Sequence, residues 1–278
     1  IGFIHSNINN DKDSIYNKGE FEVNNYILYN KFRTSNIIIV PGFRGLTPSK
    51  NTCLMGRGGS DTTGSIISSS LKATEYMIWT DVNGIYSGDP NIIKHVNIIP
   101  TISYDAAQEI SAMGAKVIHP YCIKPCMKAN IPISIRNTYD LESKYTTIEN
   151  CLGGSEKSIY SITNQSKIVV FKIKSLNMWN NYGFVFDIFS KFKDYNVDVN
   201  IINTSQFDIT TTTDDKNIPK LLKLKSELEK DYSVELILDC NCISLVGENI
   251  RKYDKLNKII NAIKDFDIKL TSYSSNDM

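Results

Sequence analysis

The stretch that most constrains this chain is Leu54-Met55-Gly56-Arg57-Gly58-Gly59-Ser60-Asp61-Thr62-Thr63, which leads into a small-residue segment from Gly64 to Ala73. Glycines admit backbone conformations that a Cβ forbids and let N–H groups approach a ligand closely. Ser60, Asp61 or Thr62 is expected to cap the following helix, whose N-terminus carries free donors and partial positive charge. Such an end is an anion site, and Arg57 adds a planar fork suited to a carboxylate or phosphate. The pattern is neither a Walker A loop, since no Gly-Lys-Ser/Thr follows, nor a G-x-G-x-x-G dinucleotide loop. A tight turn capping a buried helix is the plainer reading, but an arginine inside the turn and an aspartate after it favour a ligand.

Around this loop the chain alternates strands and helices. Ile37-Ile38-Ile39-Val40, stopped by Pro41-Gly42, reads as a strand buried on both faces, as in a parallel sheet. Gly42-Phe43-Arg44-Gly45 would leave its carboxyl end, where open α/β sheets place ligands. Residues 1–36 predict one short strand, an irregular loop over 7–18 and a helix near 22–31. Further helices are expected over 62–71, 106–112 (capped by Ser103, with Asp105 in its first turn) and 121–128, and strands over 76–81 and 131–135. Val82 to Pro90 reads as a loop with an exposed tyrosine, Tyr86. This is an α/β layered domain.

From about Cys151 the pattern changes. Strands over 158–174, 197–203 and 207–213 frame helices over 182–192 and 216–232. Strands over 234–238 and 242–246, a helix over 253–266 and a strand over 268–273 follow. Two successive β-α-β-like units suggest a duplicated α+β module with a binding or regulatory role.

A formal net charge of +1 removes any electrostatic case for nucleic acid or an anionic membrane surface. No run approaches the ~20 apolar residues of a membrane span. The six cysteines form no paired motif, so Cys122 with Cys126 and Cys240 with Cys242 read as thiols rather than zinc ligands, which suits a reducing compartment. His95 and His119 read as structural, and Asp89-Pro90 as a turn.

Four motifs in order and register carry a resemblance: Gly56 to Thr63; Trp79-Thr80-Asp81-Val82-Asn83-Gly84-Ile85-Tyr86-Ser87-Gly88-Asp89-Pro90; Ser103-Tyr104-Asp105; and Gly114-Ala115-Lys116-Val117-Ile118-His119-Pro120. Together they resemble the aspartate kinases, and the tail from Ser175 to Ser205 resembles the tandem ACT domains of their lysine-regulated, monofunctional branch. The implied fold is α/β: the C-terminal, nucleotide-binding part of a three-layer amino acid kinase domain (1–150), followed by two ferredoxin-like ACT modules (151–278). The first module (about 175–233) would be inserted in the second (about 157–174 plus 234–278).

The implied reaction is phosphorylation of L-aspartate by Mg-ATP to L-4-aspartyl phosphate, opening lysine, threonine and methionine biosynthesis. By resemblance Arg57, Gly58, Gly59 and Ser60 bind aspartate, with Arg57 on its α-carboxylate and Asp61 serving the amino group or the loop. Thr80, Asp81, Tyr86 and Asn91 would lie at the nucleotide and Lys116 on its phosphates, making Lys116, Arg57 and Asp61 the catalytic set. Tyr86 is equally readable as an aromatic packed on its own loop. Mg²⁺ would be held through the phosphates, with no metal site in the protein itself. Met178, Gly183, Asn200, Ser205 and Gln206 would frame an effector site, in a homodimer or higher homo-oligomer with a cytoplasmic setting.

Three departures qualify the resemblance. The Lys-Phe-Gly-Gly-Thr-Ser signature and the rest of the N-terminal half of the kinase domain are absent, so this chain is not expected to catalyse alone. Asn91 stands where an arginine often reaches the phosphates. In Val199 to Gln206 both acids of the usual effector segment are amides, Asn200 and Gln206. A silent amino-acid sensor on a decayed kinase fold is the competing reading; glutamate 5-kinase is a weaker one that the ACT-like tail argues against. Each lost charge-assisted bond costs on the order of 1.5–3 kcal/mol, which predicts weak or absent lysine inhibition. An inhibition constant matching those of lysine-sensitive kinases would contradict it.

Overall fold

The computed structural model describes residues 3–10, 15–17, 19–115, 117–151, 159–175, 182–247, 250 and 253–273, with 253–256 by backbone alone. The chain divides into two units, Ile1–Thr163 with Leu245–Glu248, and Asn164–Ser244 with Asn249–Met278.

The first unit opens with β1 (Ile4–Ser6), β2 (Phe21–Val23) and α1 (Asn25–Phe32), then β3 (Arg44–Leu46) and β4 (Thr52–Leu54). These strands form one sheet in the order β2-β1-β3-β4. Helix α2 (Gly59–Leu71) follows, then β5 (Tyr76–Thr80), β6 (Thr101–Ser103), α3 (Tyr104–Ala112), α4 (Pro120–Ala129), β7 (Ile133–Asn137) and β8 (Thr146–Glu149). The second sheet runs β5-β7-β8-β6 and is mixed: β5 is parallel to β7 and β6 to β8, while β7 and β8 are antiparallel.

Local chemistry explains the helix limits. The Ser103 hydroxyl accepts from Ala106 N at 3.3 Å and caps α3, as its sequence position predicts. Pro120 opens α4 where a missing N–H costs nothing, and Asn130 ends it in the left-handed region at φ 53°. Helix α2 is built of small residues because it lies close on α4. Ser65, Cys122 and Cys126 are fully buried between them, with Ser65 Oγ 3.2 Å from Cys126 Sγ.

Several expectations are corrected. The apolar run Ile37–Val40 joins no strand ladder among the described residues, and Ile37 and Ile39 are 81% and 92% exposed. A strand is buried on both faces only when flanked and covered, and neither condition is met here. The chain beyond it forms a β3–β4 hairpin rather than a loop. Strand β5 buries Ile78 but leaves Met77 and Trp79 about half exposed, because alternation puts those two on the opposite face of the sheet from Ile78. The first helix starts later than predicted, since Phe21 to Val23 pair with β1 and Asn24 caps α1.

The second unit continues β9 (Ser161–Lys174) through α5 (Phe184–Asp194), β10 (Ile202–Thr204), β11 (Asp208–Thr213), α6 (Ile218–Leu228), β12 (Ser233–Val246) and α7 (Tyr253–Ile263). Its sheet runs β10-β11-β9-β12. Two β-α-β halves interleaved in this order are the ferredoxin-like arrangement. The runs over 234–238 and 242–246 are one continuous strand, and 268–273 is not a strand. The core joins Phe171 and Ile173 of β9 to Ile188 and Phe192 of α5 and to Leu221, Leu224 and Leu228 of α6. Phe171 is fully buried and meets Phe192 edge-on at 5.2 Å. Phe171→Ala is expected to lower stability by about 3–5 kcal/mol in urea denaturation; a loss below about 1 kcal/mol would show that this core is not packed as described.

Candidate functional site

The glycine loop leaves β4 and turns sharply into α2. Gly56 and Gly58 take φ values of 78° and 64°, and Gly58 itself is the N-cap, with no side chain accepting from the helix. Ser60, Asp61 and Thr62 therefore do not cap the helix; they lie inside its first turn, because left-handed glycine lets the helix begin earlier than a capping side chain would. Gly59 N donates to Gly56 O (3.2 Å) and Thr62 N to Gly58 O (2.8 Å). Between them the Ser60 and Asp61 amides stand as N-terminal donors of a thirteen-residue helix.

A cleft of about 610 Å³ opens over this turn, lined by Tyr16, Phe43, Gly56, Arg57, Gly58, Gly59, Ser60 and Asp61. Five of the predicted site residues, Arg57, Gly58, Gly59, Ser60 and Asp61, are thus gathered in one place. Phe43 is a non-glycine residue at φ 74°, a conformation costing about 1–2 kcal/mol. Its N–H donates to Thr63 Oγ1 (3.0 Å), its carbonyl accepts from Met55 N (3.0 Å), and Thr63 Oγ1 donates to Gly59 O (2.7 Å). These bonds hold the strained residue with its ring over Gly59, where an added Cβ would lie 2.5 Å from the ring.

Beneath the loop, His119 caps α4, its Nδ1 accepting from Tyr121 N at 3.3 Å. A Cβ on Gly58 would lie 2.3 Å from His119 Cβ, so the loop and the α4 cap are in van der Waals contact only because residue 58 is glycine. Burial pushes the Asp61 carboxyl above the usual carboxylate range, partly offset by the charge of His119. Burial lowers the His119 imidazole; Asp61 opposes that shift and Arg57 adds to it. The Tyr76 hydroxyl donates to the Asp61 carbonyl (3.0 Å), and Gly64 gives its ring room to cross α2.

Thr80, Asp81, Tyr86 and Asn91 are not among the described residues that line this cleft. Thr80 ends β5 and its hydroxyl donates to Asp81 Oδ1 (3.1 Å), with Asp81 exposed. Tyr86 is half-buried rather than exposed, since it bridges to Ile98 and its carbonyl accepts from Ser161 Oγ (2.9 Å). Asn91 folds back on its turn: its backbone N–H and side-chain amide both donate to Asp89 Oδ1, at 2.8 and 3.0 Å. In the second unit, Asn200 N donates to Thr212 O (2.9 Å), whereas the Ser205 hydroxyl closes the β10–β11 turn on Asp208 (2.6 Å). Gln206 is exposed in that turn, and Gly183 caps α5 at φ 88°. Lys116 and Met178 lie outside the described residues. Among the described residues no group of three His, Cys, Asp or Glu could hold a metal ion, and no helix is long and apolar enough to cross a membrane.

Sequence reasoning missed Tyr16 as a cleft residue and named Phe43 only as part of a loop at a ligand-binding edge, while His119, read as structural, packs against Gly58 of the glycine loop. Phe43 had a signal, its place just before a glycine hairpin; Tyr16 had none.

Two experiments follow from this geometry. Gly56→Ala meets open space and is expected to cost only the left-handed penalty, about 1–2 kcal/mol, whereas Gly58→Ala adds a collision for roughly 2–5 kcal/mol; equal losses in urea titrations would contradict the close contact with His119. Because the fold favours neutral imidazole, the folded state binds fewer protons than the unfolded one, so stability declines as pH falls below about 6.5. His119→Asn keeps a capping acceptor and should flatten that decline; an unchanged pH profile would refute the assignment.

Comparison with known proteins now adds to the geometry. Residues 7–137 match the amino acid kinase family. Aspartokinase 2, chloroplastic, of Arabidopsis thaliana is 32% identical over 71% of this chain and 38% of its own length. Lysine-sensitive aspartokinase 3 of Escherichia coli strain K12 is 27% identical over 86% of this chain and 55% of its own length. The chain thus spans well under two thirds of these relatives. The crystal structure of E. coli aspartokinase III in complex with aspartate and ADP superposes at a TM-score of 0.83 with 24% identity, over 99% of this chain and 63% of that one, which shows a shared fold. Residues 7–137 carry part of an amino acid kinase domain, and the chain is similar to the aspartokinases along most of its length.

Proposed function

We propose that this chain serves the ATP-dependent phosphorylation of the L-aspartate β-carboxylate to L-4-aspartyl phosphate, the step that opens lysine, threonine and methionine biosynthesis. The observation carrying this reading is the cleft at the start of α2, where Arg57 and helix-terminal amides lie together in an arrangement suited to an anion. Arg57 grips the α-carboxylate bidentately, the backbone of Gly58, Gly59 and Ser60 supplies donors, and Asp61 meets the amino group. The nucleophile is a carboxylate, ionised at neutral pH, so the reaction needs no general base. Its requirements are alignment and neutralisation of phosphate charge. Thr80, Asp81, Tyr86, Asn91 and Lys116 form the nucleotide side, and Mg²⁺ is carried by the phosphates. Related proteins crystallised with aspartate and ADP, and known as lysine-sensitive, support the substrate pair and the regulation.

In this reading residues 1–150 are the nucleotide-binding part of the kinase domain. Residues 151–278 are tandem ACT modules, the first (about 175–233) set within the second (about 157–174 plus 234–278). The effector is an amino acid held near Met178, Gly183, Asn200, Ser205 and Gln206 in a cytoplasmic homodimer. A second reading, a sensor without kinase activity, is favoured by one observation: the Asn91 side chain is engaged by Asp89 and supplies no charge to a phosphate.

Incubating the full-length polypeptide with L-aspartate and Mg-ATP, with hydroxylamine as trap, should yield aspartyl hydroxamate. Arg57→Ala should reduce kcat/KM by about ten- to a hundredfold, the scale of a lost charged contact in a partly dry site. Absence of hydroxamate together with measurable amino-acid binding would establish the sensor instead.

A further inference from the structure

The N-terminal segment before β2 reads as a featureless Asn-rich loop, yet it holds a fully satisfied buried amide. Asn17 is 5% exposed. Its Oδ1 accepts from Ser6 Oγ (2.6 Å) and Gly19 N (2.8 Å), and its Nδ2 donates to Ile8 O (2.9 Å) and Asn10 Oδ1 (2.8 Å). Two donors and two acceptor sites are the whole capacity of a carboxamide, and all are used. On either side of Tyr16 the backbone is stitched to the last residue of β4: Leu54 N donates to Ile15 O (3.0 Å) and Asn17 N to Leu54 O (2.8 Å). Leu54 directly precedes the glycine loop. Tyr16 is therefore fixed to the strand that delivers Gly56 to Asp61, and its ring meets Phe43 edge-on at 6.4 Å in the wall of the cleft.

The geometry points to Tyr16 as a specificity-determining residue of this cleft and to Asn17 as the residue that positions it. This inference rests on the aspartate reading of the site. Polar groups at the start of α2 fix the charged ends of a ligand, while the Tyr16–Phe43 pair lends the cleft a largely apolar, uncharged surface of two rings. An amino acid gripped by Arg57 and the α2 amides has its length limited by that surface. The wall accordingly selects a four-carbon dicarboxylic amino acid over its five-carbon homologue. Discrimination by one methylene is worth on the order of ten- to two-hundred-fold.

The test is calorimetric titration of the chain with L-aspartate and with L-glutamate. The wild-type chain is expected to prefer aspartate by at least about tenfold. Tyr16→Ala should compress that ratio by at least about fivefold while still binding aspartate, and Tyr16→Phe should keep it, since the ring and not the hydroxyl forms the wall. Asn17→Ala should compress the ratio in the same direction with Tyr16 intact, which loss of stability alone would not do. Should Asn17→Ala fail to fold, the two Tyr16 variants decide. A wild-type ratio in Tyr16→Ala overturns the wall, as does a wild-type chain that binds both acids equally. A wild-type chain that binds neither acid overturns the aspartate reading and the wall with it.

Discussion

The cleft depends on one contact, Gly58 against His119. Two helices that pack side by side start together there: α2 begins at the glycine loop and α4 at His119, and no Cβ fits between the two starts. That approach places the free amides of α2 at the surface and brings Asp61 under the influence of an imidazole. It also requires the rest of the α2–α4 interface to be thin, which is why Ser65, Cys122 and Cys126 occupy it instead of leucine. Substitution at the glycine would part the helices, and the donors, the cleft floor and the half-buried Asp61 would shift together.

Strain in the same region is kept local. Phe43 sits in a left-handed conformation on the cleft wall, and its two backbone groups are tied to Thr63 and Met55, so the cost is met by neighbours that themselves belong to the loop and helix. The wall is rigid for a second reason: the buried amide of Asn17 anchors the opposite aromatic. A preorganised cleft of this kind suits a reaction in which the protein aligns and neutralises but forms no covalent bond with its substrate.

Much of this was legible in the sequence, for reasons that differ by element. The α3 cap at Ser103 and the α4 start at Pro120 follow from side-chain chemistry acting within one turn, and both were read correctly. The glycine loop was legible as a tight turn opening a helix, because left-handed backbone is a property of the glycines themselves. Ile37–Val40 misled because β-branched residues report a preference for extended backbone, and what pairs with that backbone is decided elsewhere. Asn17 and Tyr16 were invisible because their role arises from side-chain bonds of Asn17 to residues of no distinctive type and from backbone bonds of Ile15 and Asn17 to the distant Leu54. In the second unit the helices were read, but 268–273 is no strand and only Ile202–Thr204 of the run over 197–203 pairs, and the interleaving into one β10-β11-β9-β12 sheet is a matter of topology that periodicity does not encode.

The central claim is that the start of α2 holds the carboxylates of an amino acid. Amide chemical shifts of the isotopically labelled chain, followed through a titration with L-aspartate, test it most directly. The account predicts saturable shifts led by Gly58, Gly59, Ser60 and Asp61. Shifts confined to the unit beyond Asn164, or none at all, would contradict it.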